Sequence, residues 1–167
     1  MWSLGCILCE LYTGIPIFPG ENERDLLNYI MEYIDIPSDD YINMSRRKKC
    51  FFDENNKPYQ IPNSYGKIRI PNSKSFNSFM QGASKYFIDF IEKCLVWYPE
   101  LRITPEDALM HNFIVNDMDH NMLYSHKQKI KKIQKEINHN KINVNVNMFG
   151  KCGNNMISKS YANTTTT

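Results

Sequence analysis

The most informative part of the sequence is its first twenty residues, which read Met1-Trp2-Ser3-Leu4-Gly5-Cys6-Ile7-Leu8-Cys9-Glu10-Leu11-Tyr12-Thr13-Gly14-Ile15-Pro16-Ile17-Phe18-Pro19-Gly20. From Trp2 to Tyr12 only Ser3 and Glu10 interrupt the apolar residues, so apolar side chains would lie on every side of a helix formed here. Gly14 and Pro16 then stop such a helix. The pattern predicts a helix from Trp2 to Thr13 that needs cover nearly all round. Because only the segments downstream of it can bury its side chains in this chain, we expect an incompletely covered apolar patch among Trp2, Leu4, Ile7, Leu8 and Leu11.

A second helix is predicted directly after this turn. Asn22 is suited to cap its first turn, which carries the acidic residues Glu23 and Asp25. Pro37 lies beyond its end. The apolar residues that repeat at helical spacing are Leu26, Leu27, Ile30, Met31 and Ile34. We therefore expect one apolar face, which packs against the rest of the domain.

Residues 38–82 form a long polar insert rich in Asn, Ser, Lys and Pro. The alternation Lys67-Ile68-Arg69-Ile70 suggests one extended piece within a loop. A loop of this length inside a compact domain is usually functional or wraps the surface. The basic run from Ser45 to Lys49 is compatible with a docking patch for acidic partners, with part of a nuclear import signal, or with a solvated stretch.

Two further helices are predicted after the insert. The first is capped at Ser84 and ends before Pro99, and its buried side carries Phe87, Ile88, Phe90, Ile91, Cys94 and Leu95. The second opens at Thr104 with Pro105 in its first turn and ends near His111. The sequence thus predicts a mainly α fold.

Composition narrows the class of protein. A chain of 167 residues with 42% hydrophobic residues is long enough for one domain and a tail, and a net charge of +2 does not call for nucleic acid. The start has no basic leader, and Glu10 ends its apolar run, so we expect neither a signal peptide nor a membrane span. Five cysteines, an odd number, favour reduced thiols and an intracellular location in cytoplasm or nucleus.

The tail, residues 115–167, is basic and rich in asparagine, and it closes on Thr164–Thr167. We expect it to be of low complexity and partly disordered. A basic helix from His126 to Ile137 fits the spacing of its isoleucines and lysines. Such a helix is either solvated and frayed, or it binds a membrane surface, RNA or a partner groove.

The order of these segments resembles the C-terminal lobe of eukaryotic protein kinases. The run at 1–20 resembles the central αF helix and the loop after it, and Phe87-Ile88-Asp89-Phe90-Ile91, Cys94-Leu95-Val96-Trp97-Tyr98-Pro99, Arg102-Ile103-Thr104 and Ala108-Leu109-Met110-His111-Asn112-Phe113-Ile114 resemble its αH to αI end. The insert resembles that of the CMGC group. Its Ser45-Arg46-Arg47-Lys48-Lys49-Cys50-Phe51-Phe52-Asp53 and Asn56-Lys57-Pro58-Tyr59 point to the DYRK kinases, with a CLK-like assignment as the alternative. The resemblance covers residues 1–114.

The resemblance implies a serine/threonine kinase that uses Mg-ATP and also phosphorylates its own activation-loop tyrosine. The glycine-rich loop, the strand lysine, the H-R-D loop, the D-F-G aspartate and the A-P-E segment are not in this sequence. We therefore expect no catalytic residue, nucleotide contact or metal ligand in this chain. It would be the C-terminal fragment of a kinase, whose partners are protein substrates and a missing upstream segment. The alternative is a short, non-catalytic helical binding module.

The resemblance also suggests roles for single residues. It places Glu10 where basophilic kinases contact a substrate arginine, with a contact to a backbone group or lysine of the lobe as the alternative. We expect Arg102 to turn to water, because the glutamate that pairs with it in kinases is missing. We also expect the corner at Tyr98, where many kinases have aspartate, to be looser. The positions that the resemblance marks as structural are Trp2, Gly5, Trp97, Pro99 and Arg102.

The cysteines and histidines give no sign of a metal site. Cys6 and Cys9 have C-x-x-C spacing, but Cys50, Cys94 and Cys152 form no second pair, so we expect the two residues to pack inside a helix. The four histidines follow no ligand pattern; they are His111, His120, His126 and His139.

Overall fold

The computed structural model of the chain describes residues 1–153, and for residues 140–153 it describes the backbone alone. Two compact units are present, Met1–Asn116 and a second one that begins at Asp117. Within the described residues there is no β-strand, and Phe52 and Pro58 form an isolated antiparallel bridge. The predicted mainly α fold class is confirmed.

The first unit is a succession of helices, most of them short. In chain order they are α1 (Trp2–Thr13), α2 (Glu23–Ile34), α3 (Asp39–Met44), α4 (Lys48–Phe51), α5 (Phe76–Phe79), α6 (Lys85–Cys94), a 3-10 turn (Pro99–Leu101), α7 (Pro105–Leu109) and α8 (Asn112–Val115).

Helix α1 has the predicted bounds, and Gly14 ends it for a geometric reason. The glycine has φ of 78° and donates its N–H to the carbonyl oxygen of Glu10 at 2.7 Å. A left-handed residue at this position is a common helix terminator, and glycine adopts it without steric cost.

Helices α1 and α6 pack closely because Gly5 has no side chain. A Cβ atom added at Gly5 would lie 2.9 Å from the Cβ of Cys94 and 3.2 Å from side-chain atoms of Leu95. Real Cβ contacts are not that short, so the glycine sets the distance between the two helices. The core around this contact consists of Cys9, Ile17, Phe76, Met80, Phe87, Ile88, Phe90, Ile91, Cys94, Leu95 and Ala108.

Helix α2 begins as predicted, but polar residues share its buried side with the apolar ones. Asn22 accepts hydrogen bonds from the N–H groups of Arg24 and Asp25 at 3.1 and 3.0 Å. Met31 is fully buried, whereas Leu26 is exposed. The other buried residues of the helix are Asp25, Asn28 and Glu32. The predicted apolar face is confirmed for Met31, Leu27 and Ile34, which pack in the two core clusters, and it is wrong for Leu26. Polar residues of the insert cover the buried polar side chains.

The insert is more ordered than the predicted loop. It contains α3, α4 and α5, and Ile42 of α3 packs with Met31 and Phe52 in a second core cluster. Ser38 caps α3 and Ser75 caps α5 through their hydroxyl oxygens. These contacts attach the insert to α2.

Helices α6 and α7 have the predicted N-terminal caps. The hydroxyl oxygen of Ser84 accepts the N–H of Phe87 at 3.2 Å, and that of Thr104 accepts the N–H of Asp107 at 3.1 Å. Helix α6 ends at Cys94, earlier than expected, and Pro99 opens the 3-10 turn instead of terminating the helix.

The second unit is described by one element, α9 (His120–Gly153). The predicted basic helix from His126 to Ile137 lies within α9, which extends further in both directions. The prediction for Thr164–Thr167 lies outside the described residues.

Candidate substrate-binding surface

Glu10 lies in the last turn of α1 and is exposed to solvent. Its backbone oxygen accepts the N–H of Gly14. Within the described part of the chain, its carboxylate forms no hydrogen bond or ion pair with another residue. The internal contact that was the alternative is therefore absent from this part of the chain, and the charge is available to an outside group.

An exposed apolar stripe runs along α1 beside Glu10. It consists of Leu4, Ile7 and Leu11, whose exposed fractions are 40, 53 and 77%, and it continues to the exposed Ile15. These residues recur every three or four positions and so share one face of the helix. The incomplete cover that the sequence predicts for α1 is confirmed at these positions, whereas Trp2 and Leu8 are half-buried.

Trp2 belongs to a cluster with Trp97 and Arg102. The two indole ring centroids are 6.1 Å apart, and the indole N–H of Trp97 donates to the backbone oxygen of Asp35 at 3.0 Å. The guanidinium carbon of Arg102 lies 5.0 Å from the ring centroid of Trp2. This cluster joins the start of α1 to the segment that follows α6.

The prediction that Arg102 turns to water was wrong. The side chain is half-buried, and it donates from Nε to the oxygen of Val96 at 2.7 Å and from Nη2 to the oxygen of Trp97 at 3.1 Å. Backbone carbonyl groups just after a helix are good acceptors for a cation, and the Trp2 ring adds a cation–π contact. These groups replace the carboxylate that the sequence lacks.

The corner at Tyr98 is also held more firmly than predicted. The Tyr98 hydroxyl forms a hydrogen bond with the hydroxyl of Ser38, and its ring meets that of Tyr41 edge-on at 4.6 Å. Pro99 is exposed and begins the 3-10 turn. The tyrosine therefore ties this turn to the insert, where a capping carboxylate would have acted within the turn alone.

The cysteine side chains of α1 belong to the helix packing. Cys9 is fully buried, and its thiol contacts the sulfur of Met80 at 3.8 Å. Burial raises the pKa of the Cys9 thiol to about 12 and that of the Cys94 thiol to about 11. Thiols with raised pKa values are poor nucleophiles and poor metal ligands.

A polar cluster joins α6 to α8. The Asp89 carboxylate lies 2.7 Å from Lys93 Nζ and 2.8 Å from His111 Nε2. The hydrogen bond from Lys93 is the main cause that lowers the pKa of Asp89. The other ring nitrogen of His111 accepts the N–H of Phe113 at 3.2 Å. His111 therefore positions α8, and the described residues contain no group of three or more metal-ligating side chains.

Sequence reasoning missed a buried ion network between α2 and the insert. Arg69 is 7% exposed; it donates from Nε to Asp25 at 2.6 Å and from Nη1 to Glu32 at 3.0 Å. Its guanidinium carbon lies 3.6 Å from the ring centroid of Tyr29, and Lys74 binds Glu32 at 2.9 Å. The polar residues at positions 25, 28 and 32 lie on one helix face because of their spacing. This spacing was the sequence feature from which a buried polar contact could have been predicted.

Comparison with known proteins identifies the class of protein. The family model described as "Protein kinase domain" matches residues 1–114. The chain therefore belongs to the protein kinase family, and within it the chain is DYRK-like. It is 48% identical over 114 residues to dual specificity tyrosine-phosphorylation-regulated kinase 2 of Drosophila melanogaster. It is 47% identical over 114 residues to dual specificity tyrosine-phosphorylation-regulated kinase 4 of Homo sapiens.

A third relative is the serine/threonine-protein kinase ppk5 of Schizosaccharomyces pombe, at 44% identity over 115 residues. The matched regions cover 68, 68 and 69% of this chain but 16, 22 and 14% of the three relatives. The chain thus spans less than a quarter of the length of the curated relatives that it matches.

The sequence does not contain the motifs with which kinases hold Mg-ATP. Kinases hold the nucleotide and its metal through the glycine-rich loop, the strand lysine, the D-F-G aspartate and the asparagine of the catalytic loop. None of these motifs occurs in the 167 residues. In addition, no helix of the described residues has the length and apolar character needed to cross a membrane.

Proposed function

We propose that this chain is the C-terminal part of the kinase domain of a DYRK-like serine/threonine protein kinase with dual specificity. The intact protein transfers the γ-phosphate of Mg-ATP to serine or threonine of protein substrates. In it, this chain supplies the helical scaffold of the lobe and one wall of the substrate groove. The chain alone neither binds ATP nor phosphorylates a substrate.

The Glu10 carboxylate, which has no partner among the described residues, is the observation that carries the proposed substrate role. An exposed carboxylate without an internal partner can accept a bidentate pair of hydrogen bonds from an arginine of a substrate. The neighbouring Ile7 and Leu11 provide apolar surface for the aliphatic part of that arginine or for the segment that completes the groove.

The exposed stripe of α1 supports the proposal that this chain is part of a longer kinase polypeptide. Burial of apolar surface contributes about 25 cal/mol per Å², so a stripe of several large side chains favours a covering segment. Monomeric proteins rarely leave large apolar patches open. We propose that upstream residues of the intact kinase cover Leu4, Ile7 and Leu11.

Steady-state kinetics of the full-length polypeptide that contains this chain test the role of Glu10. The substrates are two serine peptides that differ in one arginine upstream of the phosphoacceptor, which alanine replaces in the second. We expect Glu10→Gln to raise KM for the arginine peptide about tenfold with little change in kcat, because uniform binding is lost. The alanine peptide should respond little.

Glu54→Gln is the matched control, since Glu54 is also exposed. It should leave both KM values unchanged. Equal losses for the two peptides in the Glu10→Gln protein would contradict a contact with arginine. Phosphotransfer by the purified 167-residue chain, above that of a mock preparation, would contradict the proposed division of labour.

We also propose that the protein works in the cytoplasm or the nucleus. The buried thiols of Cys9 and Cys94 are free among the described residues, which suits a reducing compartment. Fluorescence microscopy of the tagged full-length protein tests this proposal, and accumulation in the secretory pathway would contradict it.

A further inference from the structure

A basic cleft lies where the insert meets the start of α2. It has a volume of about 460 Å³ and is lined by Asn22, Glu23, Arg24, Arg47, Cys50 and Phe51. This basic cleft is formed by residues outside the exposed stripe of α1. It is a concave surface with two guanidinium groups and one carboxylate in its lining.

Arg24 enters the basic cleft with unused hydrogen-bonding capacity. Its Nη2 donates to the backbone oxygen of Cys50 at 3.4 Å, a long contact. Its Nε is buried and has no hydrogen-bond partner among the described residues. A buried guanidinium donor without an acceptor is unfavourable, so a rotation of the Arg24 side chain toward an anion in the cleft would gain a hydrogen bond without breaking a strong one.

Arg47 shows that the basic cleft accepts a carboxylate. It donates from Nη1 and Nη2 to the two carboxylate oxygens of Glu23 at 3.0 and 2.6 Å, and its guanidinium lies 5.2 Å from the ring centroid of Phe51. Both charged groups are largely exposed. Exposed ion pairs contribute little to stability, so an outside acid can take the place of Glu23 at low cost.

The surface around the basic cleft adds positive charge. Arg46 and Lys49 are exposed and have no ion pair or hydrogen bond to another described side chain, and Lys48 binds the neutral Asn43 at 2.9 Å. Among the described residues that line the cleft, Glu23 is the one acid. A ligand with several negative charges therefore finds more cations than internal acids can neutralise.

We infer that the basic cleft is a docking site for an acidic peptide segment of a partner protein. One carboxylate or phosphate of that segment displaces Glu23 from Arg47 and accepts a hydrogen bond from Arg24, while its neighbours face Arg46 and Lys49. A cleft of this size with planar donors suits a single side-chain anion better than a flat membrane or an extended nucleic acid backbone. This site is separate from the proposed substrate contact at Glu10 and does not depend on phosphotransfer.

Fluorescence anisotropy with a fluorescein-labelled peptide of six glutamates tests the inference on the full chain. We expect Arg24→Gln and Arg47→Gln each to weaken binding about tenfold. Glu23→Gln should tighten it about threefold or more, because the internal competitor loses its charge. Lys85→Gln removes one exposed positive charge outside the cleft and is the matched control, with affinity expected to stay unchanged.

The tighter peptide binding expected of Glu23→Gln keeps the test decisive even where an arginine variant folds poorly, because poor folding would weaken binding and not strengthen it. An equal loss with Lys85→Gln and Arg47→Gln would show diffuse charge attraction and overturn the inference. No gain with Glu23→Gln would also overturn it. A glutamine peptide should not bind, and tighter binding of single-stranded RNA or of phosphatidylserine vesicles than of the acidic peptide would assign the surface to a different partner. A phosphoserine in place of one glutamate of the peptide should tighten binding where phosphate is the preferred group and should leave it unchanged where a carboxylate is.

Discussion

Arg69 is a charged residue that the fold turns inward, while its apolar neighbours turn outward. Ile68 and Ile70 are exposed on either side of it. Two carboxylates and the face of Tyr29 satisfy the guanidinium, so its burial does not leave an unpaired charge. The insert is thereby attached to α2 through ionic contacts at its centre.

Arg69→Met should strongly destabilise the first unit. The substitution leaves Asp25 buried without its cation, and breaking a buried ion pair in this way costs about 3–5 kcal/mol. The measurement is the free energy of unfolding from urea denaturation of the full chain. Arg46→Met, at an exposed arginine, is the control and should change the value by less than about 0.5 kcal/mol. A small effect at position 69 would contradict the ionic attachment.

The same network predicts a dependence of stability on pH. The hydrogen bond from Arg69 lowers the pKa of Asp25 in the folded state, below its value of about 3.9 in an unfolded chain. Its contribution is therefore complete above the unfolded pKa and is lost as the pH falls through the folded pKa.

Urea titrations between about pH 7 and about pH 3 check this prediction by comparing the native protein with Asp25→Asn. The stability difference between them should be constant at higher pH and should shrink below about pH 4. Asp40→Asn, at an exposed position, should show little difference from the native protein at any pH. A difference for Asp25→Asn that does not change with pH would contradict a lowered pKa of Asp25 in the folded protein.

At the scale of elements, the helices with strong local signals were predictable. Asn22, Ser84 and Thr104 cap their helices as their sequences indicate, and Gly14 ends α1. These signals act within one turn and need no tertiary contact.

The short helices were not predictable, because their stability does not come from local sequence. Helices α3, α4, α5 and α8 have four to six residues, and isolated helices of that length are unstable in water. Helices α3 and α5 form because Ile42 and Phe76 are buried against other elements. For this reason the sequence pattern predicted a loop where the insert forms short helices.

The contact between α1 and α6 gives a prediction for Gly5. Gly5→Ala places a Cβ atom 2.9 Å from that of Cys94, and such overpacking costs about 1–3 kcal/mol. The gain in helix propensity of about 1 kcal/mol offsets part of this cost. We expect a net loss of about 1 kcal/mol in the free energy of unfolding. Ser3→Ala, at an exposed position of the same helix, should not destabilise, and a stabilised Gly5→Ala protein would contradict the close packing.

The exposed stripe of α1 should behave differently in the 167-residue chain, where it faces solvent, and in the intact kinase, where we propose that upstream residues cover it. Uncovered apolar side chains bind the dye ANS and promote association, whereas covered ones stabilise a core. The double substitution Ile7→Gln and Leu11→Gln should therefore have opposite effects in two contexts. It should lower ANS fluorescence and self-association of the 167-residue chain.

In the full-length polypeptide, the same double substitution should destabilise by at least about 3 kcal/mol, because it buries two amides in place of apolar groups. Met44→Gln is the control, since Met44 is 70% exposed on the insert and should have little effect in either context. Equal behaviour of the double variant in both contexts would contradict the covering of α1 by upstream residues.

The candidate site shows a similar limit of sequence reasoning. The position of Glu10 and the exposed stripe followed from the apolar pattern and the resemblance to kinases. The partners of Arg102 and Tyr98 were not predictable in this way. Arg102 binds backbone carbonyl groups, and Tyr98 binds Ser38 of the insert. A local sequence pattern specifies neither contact.

The mass of the endogenous protein tests the central claim most directly. An antiserum against residues 38–82 would detect the protein by immunoblot, and mass spectrometry would sequence the captured band. We expect a band much heavier than 19.7 kDa, with peptides that precede Met1 and contain the glycine-rich loop, the H-R-D loop and the D-F-G segment. A single band at 19.7 kDa, without such peptides, would contradict the claim that this chain works as part of a complete kinase.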